Sequence, residues 1–336
     1  MMNSGGNVIS KFRDTFRVLE KDLLRWFPGH MHKGLKQMQQ QLKNVDCIIE
    51  VHDARVPISG HYADFSATLT GLKPHIFVLN KIDLADMTFK KCIMSELKEK
   101  GLTNVLFTNL KNEQCKGAKR LLPLTQMLIK ESNRYNRAQE RSFAIMVIGV
   151  PNVGKSSLIN RLRNNNLGKT KAAHVGAVAG ITRSVSTRIK VSENPDIYIL
   201  DTPGILIPKI TDVHIGLKLA LIGCMQDHLI GPEVLADYLL FWLNKHERFE
   251  YVEKLGLTEP HDNILHILTY IAAKTKRTLR IKNFDGNIVL KPNLRYAAEY
   301  FISIFRKGEL GYYCLDEDLL KTTRKSFVQD NLLSLS

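Results

Sequence analysis

With 336 residues, 44% of them hydrophobic and 24% charged, the chain carries enough apolar content for two packed domains, which excludes a purely disordered polymer. Its 48 Lys+Arg against 33 Asp+Glu leave a formal charge of +15, a balance that favours anionic partners such as nucleic acid or an acidic membrane surface. No apolar run reaches the roughly 18 to 20 residues that cross a bilayer, and five cysteines without paired metal spacing fit a reducing compartment better than a disulfide framework.

Residues 1–34 read as an N-terminal segment. Within it, Arg13-Asp-Thr-Phe-Arg17-Val-Leu predicts an amphipathic helix of transit-peptide type, although Asp14, Glu20 and Asp22 count against it because such peptides are poor in acids. Over 35–209 the pattern alternates between strands and helices, with strands predicted at Cys47–His52, His75–Leu79, Asn104–Thr108, Ala144–Ile148, Arg188–Val191 and Ile197–Leu200. That alternation predicts an α/β domain with a doubly wound, mostly parallel sheet that binds its ligand at the strand carboxyl ends.

The second predicted strand runs into Asn80-Lys81-Ile82-Asp83. An Asn at such a place is often an ordinary helix cap. A carboxylate at Asp83, however, would accept from two adjacent guanine N–H groups, a pattern that adenine does not offer. Asn80 and Lys81 would then tie this loop to a phosphate-binding loop and flank the base. Thr108 and Asn109, ending the third strand, are predicted as a second base-contacting loop, and the polar stretch Glu131–Arg141 reads as a join between two halves.

The fourth strand leads into Gly149-Val-Pro-Asn152-Val153-Gly154-Lys155-Ser156 and then into Ser157 and a helically spaced run to Arg163. All positions of G-x-x-x-x-G-K-S are present in the strand–turn–helix setting that a phosphate loop needs. Glycines let the backbone wrap phosphate oxygens, and the N–H groups and helix start supply positive partial charge. Lys155 is expected at the β- and γ-phosphates and Ser156 on Mg²⁺. Thr182 sits in the Gly/Ala-rich loop Ala177–Arg183, where a hydroxyl could close on Mg²⁺ and the γ-phosphate. Asp201-Thr-Pro-Gly204 ends the last strand, placing Asp201 for the Mg²⁺ shell and the Gly204 N–H for the γ-phosphate. Alone, D-x-x-G is only turn punctuation.

Beyond Thr211 the pattern becomes helical, and 210–325 reads as a helical C-terminal domain followed by a tail, 326–336. Helices are predicted from Thr211 or Asp212 to about His228, over Glu233–His246, and over Leu294–Lys307 between Pro292 and Gly308. Basic residues cluster at Pro151–Ser192, which holds no acid, and at Lys274-Thr-Lys276-Arg277-Thr-Leu-Arg280-Ile-Lys282. Such clusters suit a phosphate backbone, and without interleaved aromatics they do not suggest base stacking.

Base-reading motif first, then phosphate loop, Thr switch and D-T-P-G is an inverted order for a guanine-nucleotide switch. With Trp26-Phe-Pro-Gly-His30-Met31, Lys33 and Asp53-Ala-Arg55-Val-Pro57, the chain resembles the circularly permuted GTPases of the YlqF/YawG (ribosome biogenesis GTPase A) family. The resemblance spans about residues 25 to 310. It implies GTP and GDP as ligands, Mg²⁺ as cofactor, and a role in maturation of the large ribosomal subunit. Through the family's mitochondrial members it implies the mitochondrial large ribosomal subunit as partner, for a monomer in the matrix, with peripheral attachment to the inner membrane open. Ile205 stands where many switch GTPases carry a water-orienting Gln, and the resemblance offers His30 as its substitute, against a purely structural histidine. Asn152 resembles the residue that holds K⁺ in potassium-activated GTPases, against a polar turn-former. Two other readings stay open: a nucleotide-gated RNA-binding scaffold with negligible hydrolysis, and a membrane-associated regulatory GTPase.

Overall fold

The computed structural model describes residues 12–17, 38–61, 73–134, 137–168, 188–202, 212–282 and 287–320, with only the backbone of Asp201. These fall into two compact units, one made of Met1–Lys21 and Ile230–Gly311, the other of Asp22–Leu229 and Tyr312–Ser336.

The second unit holds a six-stranded sheet in the order β3-β2-β1-β4-β6-β5. Its strands are β1 (Cys47–Asp53), β2 (His75–Asn80), β3 (Val105–Thr108), β4 (Phe143–Ile148), β5 (Arg188–Glu193) and β6 (Asp196–Asp201). All neighbours are parallel except β5 and β6. Every residue of β1 and β4 is buried, as expected for parallel strands covered on both faces, and this is why β4 reads as an unbroken apolar run; β1 buries Glu50, His52 and Asp53 among its apolar residues. Helices α1 (Lys90–Glu99), α2 (Lys116–Glu131) and α3 (Lys155–Leu167) follow β2, β3 and β4. Phe77 and Leu79 pack with Phe89, Cys92, Ile93 and Leu97 in one apolar cluster. A side chain at Gly117 would meet the Phe107 carbonyl, so glycine there lets α2 lie close on β3.

Helix α4 (Val213–Leu221) belongs to this unit, not to the C-terminal one. Asp212 caps it, accepting from His214 N at 2.7 Å. It stops well short of His228 because Gly223 adopts φ +82° and Cys224 N bonds back to the Leu219 carbonyl at 3.0 Å. Residues 312–320 also return to the nucleotide unit: Tyr313 N donates to Leu84 O (3.3 Å), Asp86 N to Tyr313 O (3.2 Å), and Leu315 N to Arg55 O (2.7 Å). The single boundary expected near residue 210 and the helical domain expected through 325 are therefore both corrected.

The other unit contains α5 (Pro232–Lys245), α6 (Glu250–Leu255), α7 (Ile264–Lys274), a hairpin of β7 (Thr278–Lys282) and β8 (Ile288–Pro292), and α8 (Leu294–Arg306). Asn293 caps α8 through Tyr296 N at 3.0 Å, and Ala298, Phe301, Ile302 and Phe305 form its buried side. The hairpin replaces the helical structure expected through this stretch. Residues 12–17 are not helical. Phe12 packs on Phe249 (5.6 Å), and Phe16 on Tyr238 (5.2 Å) and Phe241 (5.5 Å). Between them Arg13 donates to Asp237 (2.7 and 3.2 Å) and Asp262 (2.9 and 3.1 Å). Over these residues the expected helix is absent, the segment being held instead by the aromatic contacts and the two carboxylates.

Candidate nucleotide site

Parallel strands in register bring their carboxyl ends to one edge. Asp53 lies opposite Asn80, and Asn80 opposite Thr108; Glu50 pairs with Ile148, and Val147 with Asp201. The motif residues thus emerge side by side from β1, β2, β3, β4 and β6, where an open α/β sheet binds its ligand.

The phosphate loop leaves β4 through left-handed backbone that its residue types permit. Gly149 has φ +140°, Asn152 +60° and Gly154 +110°. A Cβ on Gly149 would meet the Val51 carbonyl, and one on Gly154 would meet the Asn80 amide nitrogen, so both positions are closed to larger residues. Val153 is fully buried and anchors the loop from below. Lys155, 7% exposed, donates from Nζ to the carbonyls of Gly149 (3.0 Å) and Val150 (2.8 Å) and so spans the inside of the loop. Ser156 and Ser157 lie half-buried in the first turn of α3, whose start offers its N–H groups to the same loop.

Asn80 joins the base loop to the phosphate loop. Its Nδ2 donates to Val153 O at 2.7 Å, while Oδ1 accepts from Thr108 Oγ1 (3.2 Å) and Leu110 N (3.3 Å). Lys81, at φ +63°, pairs through Nζ with Asp53 Oδ2 at 3.0 Å. Ile82 N bonds to Thr108 O at 3.3 Å, and Asp83 stands half-buried in the same turn. Asn109 accepts from Lys111 N at 3.0 Å, and its own N–H points to Cys115 Sγ at 3.2 Å. The loops after β2 and β3 are therefore brought together, with Asp83, Thr108 and Asn109 on them.

Beneath them Asp53 is fully buried. Arg55 forks onto it, Nε to Oδ1 at 2.9 Å and Nη2 to Oδ2 at 2.8 Å. Burial alone would raise the Asp53 pKa, but the charges of Arg55 and Lys81 hold it far below the usual carboxylate range. Asn152 donates to the Gly223 carbonyl at 2.7 Å, which links the phosphate loop to the turn after α4. The neighbouring Cys224 thiol is pushed up to about 12 by burial and is no nucleophile.

Asp201 ends β6, and Thr202 beside it donates to the Val147 carbonyl at 2.5 Å. His30, Thr182 and Gly204 lie outside the described residues. Leu110 and Gly223 escaped the sequence reading because they act through backbone, which leaves no motif, while Thr202 lay within D-T-P-G without its hydroxyl being given a role. Part of the basic cluster is also engaged internally. Arg161 donates to the Glu113 carbonyl at 2.6 Å, and Lys190 pairs with Asp196 at 2.8 Å.

Comparison with known proteins agrees with this geometry. Residues 144–283 match the family described as 50S ribosome-binding GTPase. The chain is 52% identical over 309 residues to mitochondrial GTPase 1 of Aedes aegypti, covering 91% of this chain and 98% of that one. It is 50% identical to mitochondrial ribosome-associated GTPase 1 of Mus musculus, covering 94% and 97%, and 34% identical to ribosome biogenesis GTPase A of Bacillus cereus, covering 74% and 81%. The fold is that of GNP-bound YlqF from T. maritima, with a TM-score of 0.51 at 23% identity over 83% of this chain and 95% of the other. The chain therefore belongs to the circularly permuted GTPases of the YlqF/YawG family, alongside the mitochondrial GTPases 1.

Proposed function

We propose that this protein is a GTP-hydrolysing switch that assists assembly of the large ribosomal subunit in the mitochondrial matrix, and through it mitochondrial translation. The observation that carries the reading is the Asn80 bridge, which sets a guanine-type carboxylate, Asp83, on a loop bonded directly to the phosphate loop. The partner comes from the relatives, one named a mitochondrial ribosome-associated GTPase and another a ribosome biogenesis GTPase.

Asp83 reads the base, the N–H groups of Asn152 to Ser157 cradle the phosphates, and Lys155 neutralises charge on the γ-phosphoryl group. Ser156, Thr182 and Asp201 are the residues that would hold Mg²⁺, which would supply neutralisation of the phosphate charge. The hydroxyl position in the first turn of α3 fits that role. A K⁺ ion would be held by Asn152 Oδ1, since Nδ2 is engaged by Gly223. Ile205 cannot orient water, so intrinsic hydrolysis is slow, and His30 is the side chain assigned to the attacking water. Ribosomal RNA meets the β7–β8 hairpin, where Arg280, Lys282 and Lys291 stand exposed among exposed Leu290 and Ile288. The same basic surface is the means of any peripheral attachment to the inner membrane, and no described helix is long and apolar enough to cross it.

The test is GTP turnover in K⁺ and Na⁺ buffers, with and without large ribosomal subunits from mitochondria. Stimulation by subunits well above the intrinsic rate is expected. Tight GTP binding without stimulation would instead favour a nucleotide-gated scaffold.

A further inference from the structure

Glu50 and His52 are two residues apart on β1, so they share one face of the sheet, with Phe77 and Leu79 as their neighbours on β2. Both are almost fully buried, at 3% and 2% exposure. An ionisable cluster in the middle of an apolar sheet face serves none of the nucleotide motifs. Three imidazoles surround the carboxylate. His52 Nε2 lies 2.7 Å and His61 Nδ1 3.5 Å from Glu50 Oε1, and His75 Nε2 lies 3.0 Å from Oε2.

One ligand atom from each of Glu50, His52 and His61 lies within 4.8 Å of the other two. Two imidazoles and a carboxylate are a donor set that Zn²⁺ and its neighbours in the first transition row accept. Tetrahedral bonds of about 2.0–2.2 Å separate adjacent ligand atoms by roughly 3.3–3.6 Å; the His61–Glu50 separation of 3.5 Å matches this, whereas the 2.7 Å His52–Glu50 contact is a hydrogen bond that an ion would have to open. The rings are already oriented, His52 stacked on Phe77 at 4.5 Å and His61 edge-on to it at 5.5 Å. Without an ion His52 Nε2–H donates to Glu50; because Nδ1 has no hydrogen-bond partner among the described residues, the ring can carry its proton there once a cation takes the Nε2 lone pair. His75, on the second carboxylate oxygen, has the place of an outer-shell partner. A cavity of about 170 Å³ lined by His75, Phe77 and residues 101–104 lies beside the cluster on the His75 side.

We propose that Glu50, His52 and His61 form a binding site for a divalent transition-metal ion, with Zn²⁺ the ion its donors suit, and that His75 positions the carboxylate. Because His61 lies on the segment after β1 that also carries Arg55 and Ser59, the ion staples this segment to β1.

The full-length chain, stripped with chelator and re-equilibrated with Zn²⁺ buffered at micromolar free concentration, is assayed for retained zinc, for Co²⁺ absorption and for melting temperature. The expected result is one retained ion in the wild type that raises its melting temperature. His61→Ala and Glu50→Gln lose that ion, and His75→Phe binds it ~10–100-fold more weakly. His61→Ala lies in a loop, and its GTP binding reports whether it has folded. Absence of retained zinc in the wild type overturns the site. So does equal retention by wild type and folded His61→Ala, which would place the ion on other His or Cys residues.

Discussion

Asn80 spends one amide on three bonds, to Val153, Thr108 and Leu110, while only 4% exposed. Asn80→Ala leaves these partners without it, at about 1–3 kcal/mol of stability, and releases the base loop from the phosphate loop. GTP affinity by calorimetry should fall more than tenfold, with the variant still folded by circular dichroism; unchanged affinity would refute the bridge. Asp53 acts one layer deeper, held by Arg55 and Lys81. Because its folded pKa is depressed, its contribution is present above the unfolded value of about 3.9 and is lost as pH falls below it. Breaking a buried pair costs roughly 3–5 kcal/mol. Asp53→Asn should therefore lose its stability near pH 7, and the gap to wild type in denaturant titrations should narrow below about pH 4. A gap independent of pH would mean that packing, not charge, holds Arg55.

At the scale of elements, the nucleotide half was legible because parallel strands are buried on both faces. Runs such as Ala144–Ile148 and Ile197–Leu200 admit few other readings, and β4 and β6 overlap both. The motif residues fall at strand ends for the same reason. The hairpin was missed although Leu279-Arg280-Ile281-Lys282 alternates with period two, because both strands are solvent-exposed and the basic residues dominated the reading. The metal-type cluster could not be seen either, since only tertiary pairing brings His61 and His75 to Glu50. Asp316 left no trace at all, being one of three consecutive acids, Asp316-Glu317-Asp318, that read as an ordinary charged turn. It is fully buried and accepts from Ile58 N (2.8 Å), Ser59 N (2.8 Å), Ser59 Oγ (2.5 Å) and Lys218 Nζ (3.1 Å). Asp316→Ala strands a buried ammonium and two amides, at a cost of about 3–5 kcal/mol. Hydrogen exchange at Ile58 and Ser59 should accelerate strongly, whereas continued protection there would show that the loop holds itself.

For the whole molecule, permutation gives the chain an unusual route. It starts in the unit containing α5 to α8, passes into the nucleotide unit, returns, and ends in the nucleotide unit again. Each unit is therefore completed by a segment distant in sequence, and the two ends of the chain stabilise different units. The N-terminal segment contributes Phe12, Phe16 and the Arg13 pairs with Asp237 and Asp262. The C-terminal segment contributes the Tyr313 backbone bonds and the buried Asp316. Removing residues 1–17 should lower the stability of α5–α8 and leave GTP affinity near wild type. Stopping the chain at Gly311 should do the reverse, exposing Cys314, Leu315 and Leu320 contacts on the nucleotide unit and weakening GTP binding while α5–α8 keep their hydrogen-exchange protection. A loss of GTP affinity on the first truncation, with the second silent, would contradict this division. Domain boundaries drawn as continuous stretches would then describe the molecule better. The expected pattern means instead that each unit reaches full stability only when its second segment, which follows part of the other unit in the chain, has been synthesised.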